Sequence, residues 1–121
     1  MSDKKLFMFV DDSRVSRMKI KQITGQKRPD LEMIEMSSAE EAVTKTETVC
    51  PDLISLDINM PGMNGLDAVA LLRKNCPTAK IVLLSGNIQD DMKQQAEQLG
   101  VGFVEKPITE DCIAKVLGFL E

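Results

Sequence analysis

Strand and helix signals alternate five times between Leu6 and Leu120, and this alternation constrains the fold more than any other feature of the 121-residue chain. A strand, a crossover helix and a returning parallel strand pack with one hand. Five such units in succession therefore make a parallel sheet with helices on both faces. Leu6-Phe7-Met8-Phe9-Val10 is apolar at every position, as expected of a mid-sheet strand covered on both sides. The segment from Leu31 to Met36 mixes Glu32 and Glu35 with apolar residues and suits an edge. Apolar runs at 53–56, 81–84 and 101–104 supply the other three strands.

The helices between them have readable starts and stops. Ser13 is placed to cap the first, whose imperfect stripe of Val15, Met18, Ile20 and Ile23 is expected to stop at Gly25. Ser38-Ala39-Glu40-Glu41 has the form of a capping box, in which Ser38 and Glu41 satisfy each other's backbone donors. Ala68, Leu71 and Leu72 form the buried stripe of a third helix ended by Pro77. A wetter fourth helix carries a narrow seam of Ile88, Met92, Ala96 and Leu99. The last, Thr109 to Leu120, buries Ile113, Val116, Leu117 and Leu120 and leaves Cys112 and Phe119 on the flank.

Composition narrows the function. With 43% hydrophobic and 28% charged residues the chain reads as one soluble domain over 1–121, and no apolar run is long enough for a membrane span. Lys4-Lys5 before Leu6 to Val10 mimics a signal peptide, but the run is short and Asp11-Asp12 closes it, so a cytoplasmic location is expected. A net charge of -4 argues against direct nucleic-acid binding, although Arg14, Arg17, Lys19, Lys21, Lys27 and Arg28 make the first helix and its exit basic. That run reads as a solvated face. Cys50, Cys76 and Cys112 are odd in number and widely spaced, and histidine is absent, so neither a disulfide nor a zinc site is expected and a reducing compartment fits.

Polar groups follow four of the five strands: Asp11 and Asp12 after the first, Asp57 after Leu53 to Leu56, Ser85 after the fourth and Lys106 after the fifth. In an open parallel sheet these ends share one crevice, where such folds bind ligands. Asp57, at the start of a Pro/Gly/Asn loop, is expected to be displayed rather than buried. Two carboxylates about 4 Å apart repel by roughly 4 kcal/mol at an effective dielectric of 20, so three converging acids call for a cation or a proton. Oxygen ligands without His or a nearby Cys select a hard divalent ion, and Mg2+ is the one expected. Asp57 is then the candidate nucleophile toward phosphorus, with Lys106 and Ser85 as donors to phosphoryl oxygens.

Asp11-Asp12-Ser13, Asp57 within Leu-Asp-Ile-Asn-Met-Pro-Gly-Met-Asn-Gly, Ser85 after Ile-Val-Leu-Leu, and Lys106-Pro107 together resemble the receiver domain of two-component response regulators, across essentially the whole chain. The resemblance implies a flavodoxin-like α/β fold: a doubly wound five-stranded parallel sheet, order 2-1-3-4-5, with five helices. It implies phosphoryl transfer from the phosphohistidine of a sensor histidine kinase or phosphotransfer protein to Asp57. Mg2+ would be held by Asp11, Asp12, Asp57 and the backbone carbonyl of Asn59. Ser85 and Lys106 would bind the phosphoryl group, Phe103 would fill the switch aromatic position, and Asn59 and Asn87 would influence phosphoryl lifetime. The resemblance also implies a cis Lys106-Pro107 bond and a readout surface on the fourth helix, fifth strand and fifth helix, facing a downstream protein target. The similarity to the single-domain chemotaxis type suggests a monomer without an output domain. Ser85, where Thr is also common, and Phe103, where Tyr is common, leave that chemistry intact.

Two other classes compete. An aspartate-nucleophile phosphatase of the haloacid dehalogenase type also uses a carboxylate, magnesium, a hydroxyl and a lysine. It places its nucleophile after the first strand in an Asp-x-Asp pattern that Asp11-Asp12 lacks, and the chain is short for a substrate-covering cap. A binding module independent of phosphorylation would not need the complete acid set.

Overall fold

The computed structural model describes residues 4–58, 60, 62–63, 65–86 and 90–120. Five parallel strands, β1 (Leu6–Val10), β2 (Glu32–Met36), β3 (Leu53–Asp57), β4 (Lys80–Ser85) and β5 (Gly102–Glu105), stand in the order β2-β1-β3-β4-β5. They alternate with α1 (Arg14–Lys27), α2 (Ala39–Lys45), α3 (Gly65–Asn75), α4 (Asp90–Leu99) and α5 (Glu110–Leu117), and a 3-10 turn over Gly118–Leu120 follows. This is the doubly wound, flavodoxin-like arrangement expected. Among the described residues no helix is long and apolar enough to cross a membrane.

Side-chain alternation divides the core between the two faces of the sheet. Phe7, Phe9, Leu53, Val82, Leu84 and Val104 pack with Ile20 of α1 and with Ile113, Val116 and Leu117 of α5. Met8, Val10, Ile54, Leu56 and Leu83 project to the other face, against Ala42 of α2, Ala68, Val69 and Leu72 of α3, and Ala96 of α4. The two-sided burial explains why β1 has no polar position. β2, with Glu32 and Glu35 exposed, is one edge of the sheet, and β5 is the other.

Several local expectations are corrected. Gly25 does not end α1, because one helical glycine costs only about 1 kcal/mol and Thr24, fully buried, keeps the last turn on the core. The helix stops at Arg28, whose backbone leaves helical geometry just before Pro29, as a residue preceding proline tends to do. Ser38 caps α2, but the Glu41 carboxylate accepts from the backbone N–H and hydroxyl of Ser37 instead of closing the box on Ser38. Those two bonds hold the Glu41 carboxyl below its usual pKa. On α3 the buried stripe includes Val69 and leaves Leu71 38% exposed, and on α5 Cys112 is buried, not flanking. On α4 Ala96 is buried and Leu99 half-buried. Ile88 and the side chain of Met92 lie outside the described residues.

The cysteine expectation is also overturned. Cys50 and Cys76 form a disulfide, with Cα atoms 5.4 Å apart across a sequence separation of 26. Cys50 precedes β3 and Cys76 follows α3, so one βα unit returns them to the same end of the sheet, a proximity that linear spacing does not reveal. Asn75 ties the same corner by donating to the Val43 carbonyl at 3.1 Å and to the Thr46 hydroxyl at 3.0 Å.

Candidate functional site

The carboxyl ends of the strands are held in register by hydrogen bonds that continue past them. The backbone N–H of Asp11 donates to the Met36 carbonyl at 3.1 Å, that of Ile58 to Leu84 at 3.1 Å, and that of Lys106 to Ser85 at 2.8 Å. These bonds set Asp11, Asp57, Ser85 and Lys106 around a single edge. Acidic oxygens of Asp11, Asp12 and Asp57 converge to within 4.8 Å of one another. Lys106 bridges two of these acids, its Nζ 3.0 Å from Asp11 Oδ2 and 3.2 Å from Asp57 Oδ2.

Asp57 is not displayed: its residue exposure is only 4%. The loop that follows it is polar and turn-rich, but the neighbouring strand ends wall the carboxylate in. Asp11 and Ser85 are each 1% exposed, whereas Asp12 faces solvent. Asp11 is tethered twice, its Oδ1 accepting from the Ser13 N–H at 2.8 Å and its carbonyl accepting from Arg17 Nη1 at 2.6 Å. Arg17 Nε pairs with Glu35 at 2.9 Å, so this member of the basic run clamps the β1 exit to β2 and is not merely a solvated charge.

Burial pushes the Asp11 carboxyl above its usual pKa, against the Ser13 N–H and Lys106, while the charge of Asp57 adds to the rise. A carboxyl raised on folding is a cost that grows as pH climbs above the ordinary aspartate range and the group ionises. Burial alone would lower the Lys106 ammonium, but its bonds and attractions to Asp11 and Asp57 together raise it. Its contribution to stability is full below the ordinary lysine value and is lost as pH rises through the raised one. At neutral pH the centre holds one ammonium among three acids. An oxygen-only set with surplus negative charge fits a hard divalent cation.

Gly65 is a site residue that motif reading did not single out. It opens α3 in a buried position, where a Cβ would lie 2.9 Å from Ile58 Cγ2 and 3.3 Å from Ile58 Cα. Ile58 is bonded to Asp57, so Gly65→Ala should displace the acid's neighbour. It is expected to cost about 1–3 kcal/mol in urea unfolding; an unchanged midpoint would show that the contact relaxes freely.

Phe103 is half-buried against the α2–α4 face of the core, opposite Leu83, two residues before the Ser85–Glu105 pair. The Lys106-Pro107 bond is cis. Asn59 and Asn87 lie outside the described residues.

The family model described as the response regulator receiver domain matches residues 7–117. The chain is 37% identical over 112 residues to the chemotaxis protein CheY of Listeria monocytogenes, covering 91% of this chain and 92% of that one. It is 32% identical to the nitrate/nitrite response regulator NarL of Escherichia coli over 91% of this chain but only 51% of the other. The fold superimposes on Vibrio cholerae chemotaxis protein CheY4 with a TM-score of 0.86 at 24% identity, covering 98% and 99% of the two chains. The chain belongs to the response regulator receiver domain family, the signalling modules of two-component systems, and its likeness to chemotaxis regulators runs along nearly its whole length. Members of this family act as signalling switches and not as conventional enzymes.

Proposed function

We propose that Asp57 accepts a phosphoryl group from a phosphohistidine on a sensor histidine kinase or phosphotransfer protein, and that the modified carboxylate switches binding to a downstream protein. The convergence of Asp11, Asp12 and Asp57 with Lys106 at one strand edge is the observation that carries this reading. An Asp57 oxygen attacks phosphorus, the O–P bond forms, and the N–P bond breaks with its electron pair returning to the departing imidazole. Lys106, released from bridging Asp11 and Asp57, turns its ammonium to a phosphoryl oxygen, and the Ser85 hydroxyl donates to another.

Asp11, Asp12 and Asp57, with the Asn59 carbonyl that the family resemblance adds, would hold Mg2+, which when bound supplies neutralisation of charge on the phosphoryl oxygens. Phe103 would respond to movement of Ser85 and alter the surface of α4, β5 and α5. Asn59 and Asn87 would set the lifetime of the phosphoryl group. The chain would act as one receiver unit, by protein contact, in the cytoplasm, a location that rests on the family likeness and not on the cysteines, since the Cys50–Cys76 disulfide removes the argument from a reducing compartment.

Two substitutions separate the metal role from the phosphate role. Asp12→Ala should weaken Mg2+ binding about tenfold or more, since it deletes a charge near the ion. Lys106→Ala should retain Mg2+ yet lose the partner-binding response to phosphorylation. Calorimetric Mg2+ titration and binding to the isolated kinase or target decide between them. Loss of the ion in Lys106→Ala and its retention in Asp12→Ala would reverse the assignment.

A further inference from the structure

A second concavity opens at the opposite end of the sheet from Asp57. Its volume is about 760 Å³, within the range of small-molecule sites. Its lining joins the end of α3 and the turn into β4 to the start of β5 and the 3-10 turn after α5. Arg73 and Lys80 are the charged residues of that lining, and no acid is among them, although the chain as a whole is acidic. Neither cation has an ion pair among the described residues, where the paired bases are Arg17, Arg28 and Lys106. These two charges are therefore not neutralised by a neighbouring carboxylate of the described chain.

The remaining lining adds a flat apolar surface and open backbone. The Phe119 ring, 37% exposed, rests so close to Gly102 that a Cβ there would fall 2.5 Å from the ring. The missing side chain at Gly102 leaves the ring the room it occupies. Gly100, at φ +71, turns the chain beneath Arg73, whose Nη2 lies 3.5 Å from the position a Cβ would take. An arginine, a lysine and a phenylalanine thus line the same space. Attraction of Arg73 to the carboxyl end of α3 would account for one of the charges but not for Lys80, the ring or the cavity.

From this cavity we infer a binding site for a small anion that carries an aromatic ring, of the nucleoside-phosphate class. Arg73 and Lys80 meet the phosphate, and the base lies against Phe119. The site is independent of the chemistry at Asp57.

The test is an amide NMR titration of the full chain in chelator with AMP, GMP, adenosine and inorganic phosphate. AMP or GMP is expected to shift Thr78, Gly100, Gly102 and Gly118, at least about tenfold more tightly than either adenosine or phosphate. Arg73→Ala and Lys80→Ala should each weaken that binding, and Phe119→Leu should reduce nucleotide affinity toward that of phosphate. Spectra of the free variants establish that they are folded. The proposal is overturned by absence of these shifts at 10-fold millimolar excess, by nucleotide binding unaffected in the Arg73→Ala and Lys80→Ala variants, or by phosphate binding as tightly as AMP.

Discussion

Asp57→Asn is expected to abolish phosphoryl uptake from acetyl phosphate while leaving the domain folded. The amide matches the carboxylate in shape but has no anionic oxygen to attack phosphorus, so the loss should exceed about a hundredfold, the scale of removing a covalent nucleophile. Stability should move the other way. Asp57 is 4% exposed and sits beside Asp11 and Asp12, with Lys106 as the opposing charge. Removing its charge relieves both burial and crowding, and Lys106 keeps its 3.0 Å contact to Asp11. Thermal unfolding in chelator should therefore show Asp57→Asn at least as stable as the parent chain. Full labelling of the variant would end the nucleophile assignment, and a marked loss of stability would mean that the Lys106 bridge outweighs repulsion.

The second large effect concerns the Cys50–Cys76 bond. It closes a loop over residues 50–76 that contains β3, Asp57 and all of α3. On chain-entropy grounds a closure of this length constrains the unfolded chain by about 3.5 kcal/mol. For a domain of this size that corresponds to roughly 14 °C in the unfolding midpoint. Reductant should lower the midpoint of the parent chain by this amount and leave Cys50→Ser unaffected. Alkylation under denaturing, non-reducing conditions should modify Cys112 alone. Modification of all three thiols before reduction would refute the pairing. A reduced chain with an unchanged midpoint would show that Asn75 and the surrounding packing hold the corner without the bond.

The sequence carried the architecture because each strand announced itself locally. The unbroken apolar run of β1 and the glutamates of β2 distinguish a central strand from an edge before any contact is known. The identities at the carboxyl edge were equally legible, since Asp11, Asp12, Asp57, Ser85 and Lys106 each follow a strand signal. What the sequence did not carry was how these residues enclose one another. Asp57 looked displayed because its own loop is polar, whereas its burial comes from elements far away in the chain. Cys50 and Cys76 looked unrelated because only the βα return brings them together. Arg17 looked like one charge of a basic face, and its bonds to the Asp11 carbonyl and Glu35 depend on the docking of α1 against two strands. Gly65 was visible as a loop glycine, but its close approach to Ile58 belongs to the packed state.

The most direct test of the account is to locate the phosphoryl group. After incubation with acetyl phosphate and Mg2+, borohydride reduction converts an acyl phosphate to a homoserine residue, and peptide sequencing by mass spectrometry finds it. Homoserine is expected at position 57, and none when Mg2+ is chelated. Homoserine at Asp11 or Asp12 in place of Asp57, or equal conversion at position 57 in chelator, would contradict it.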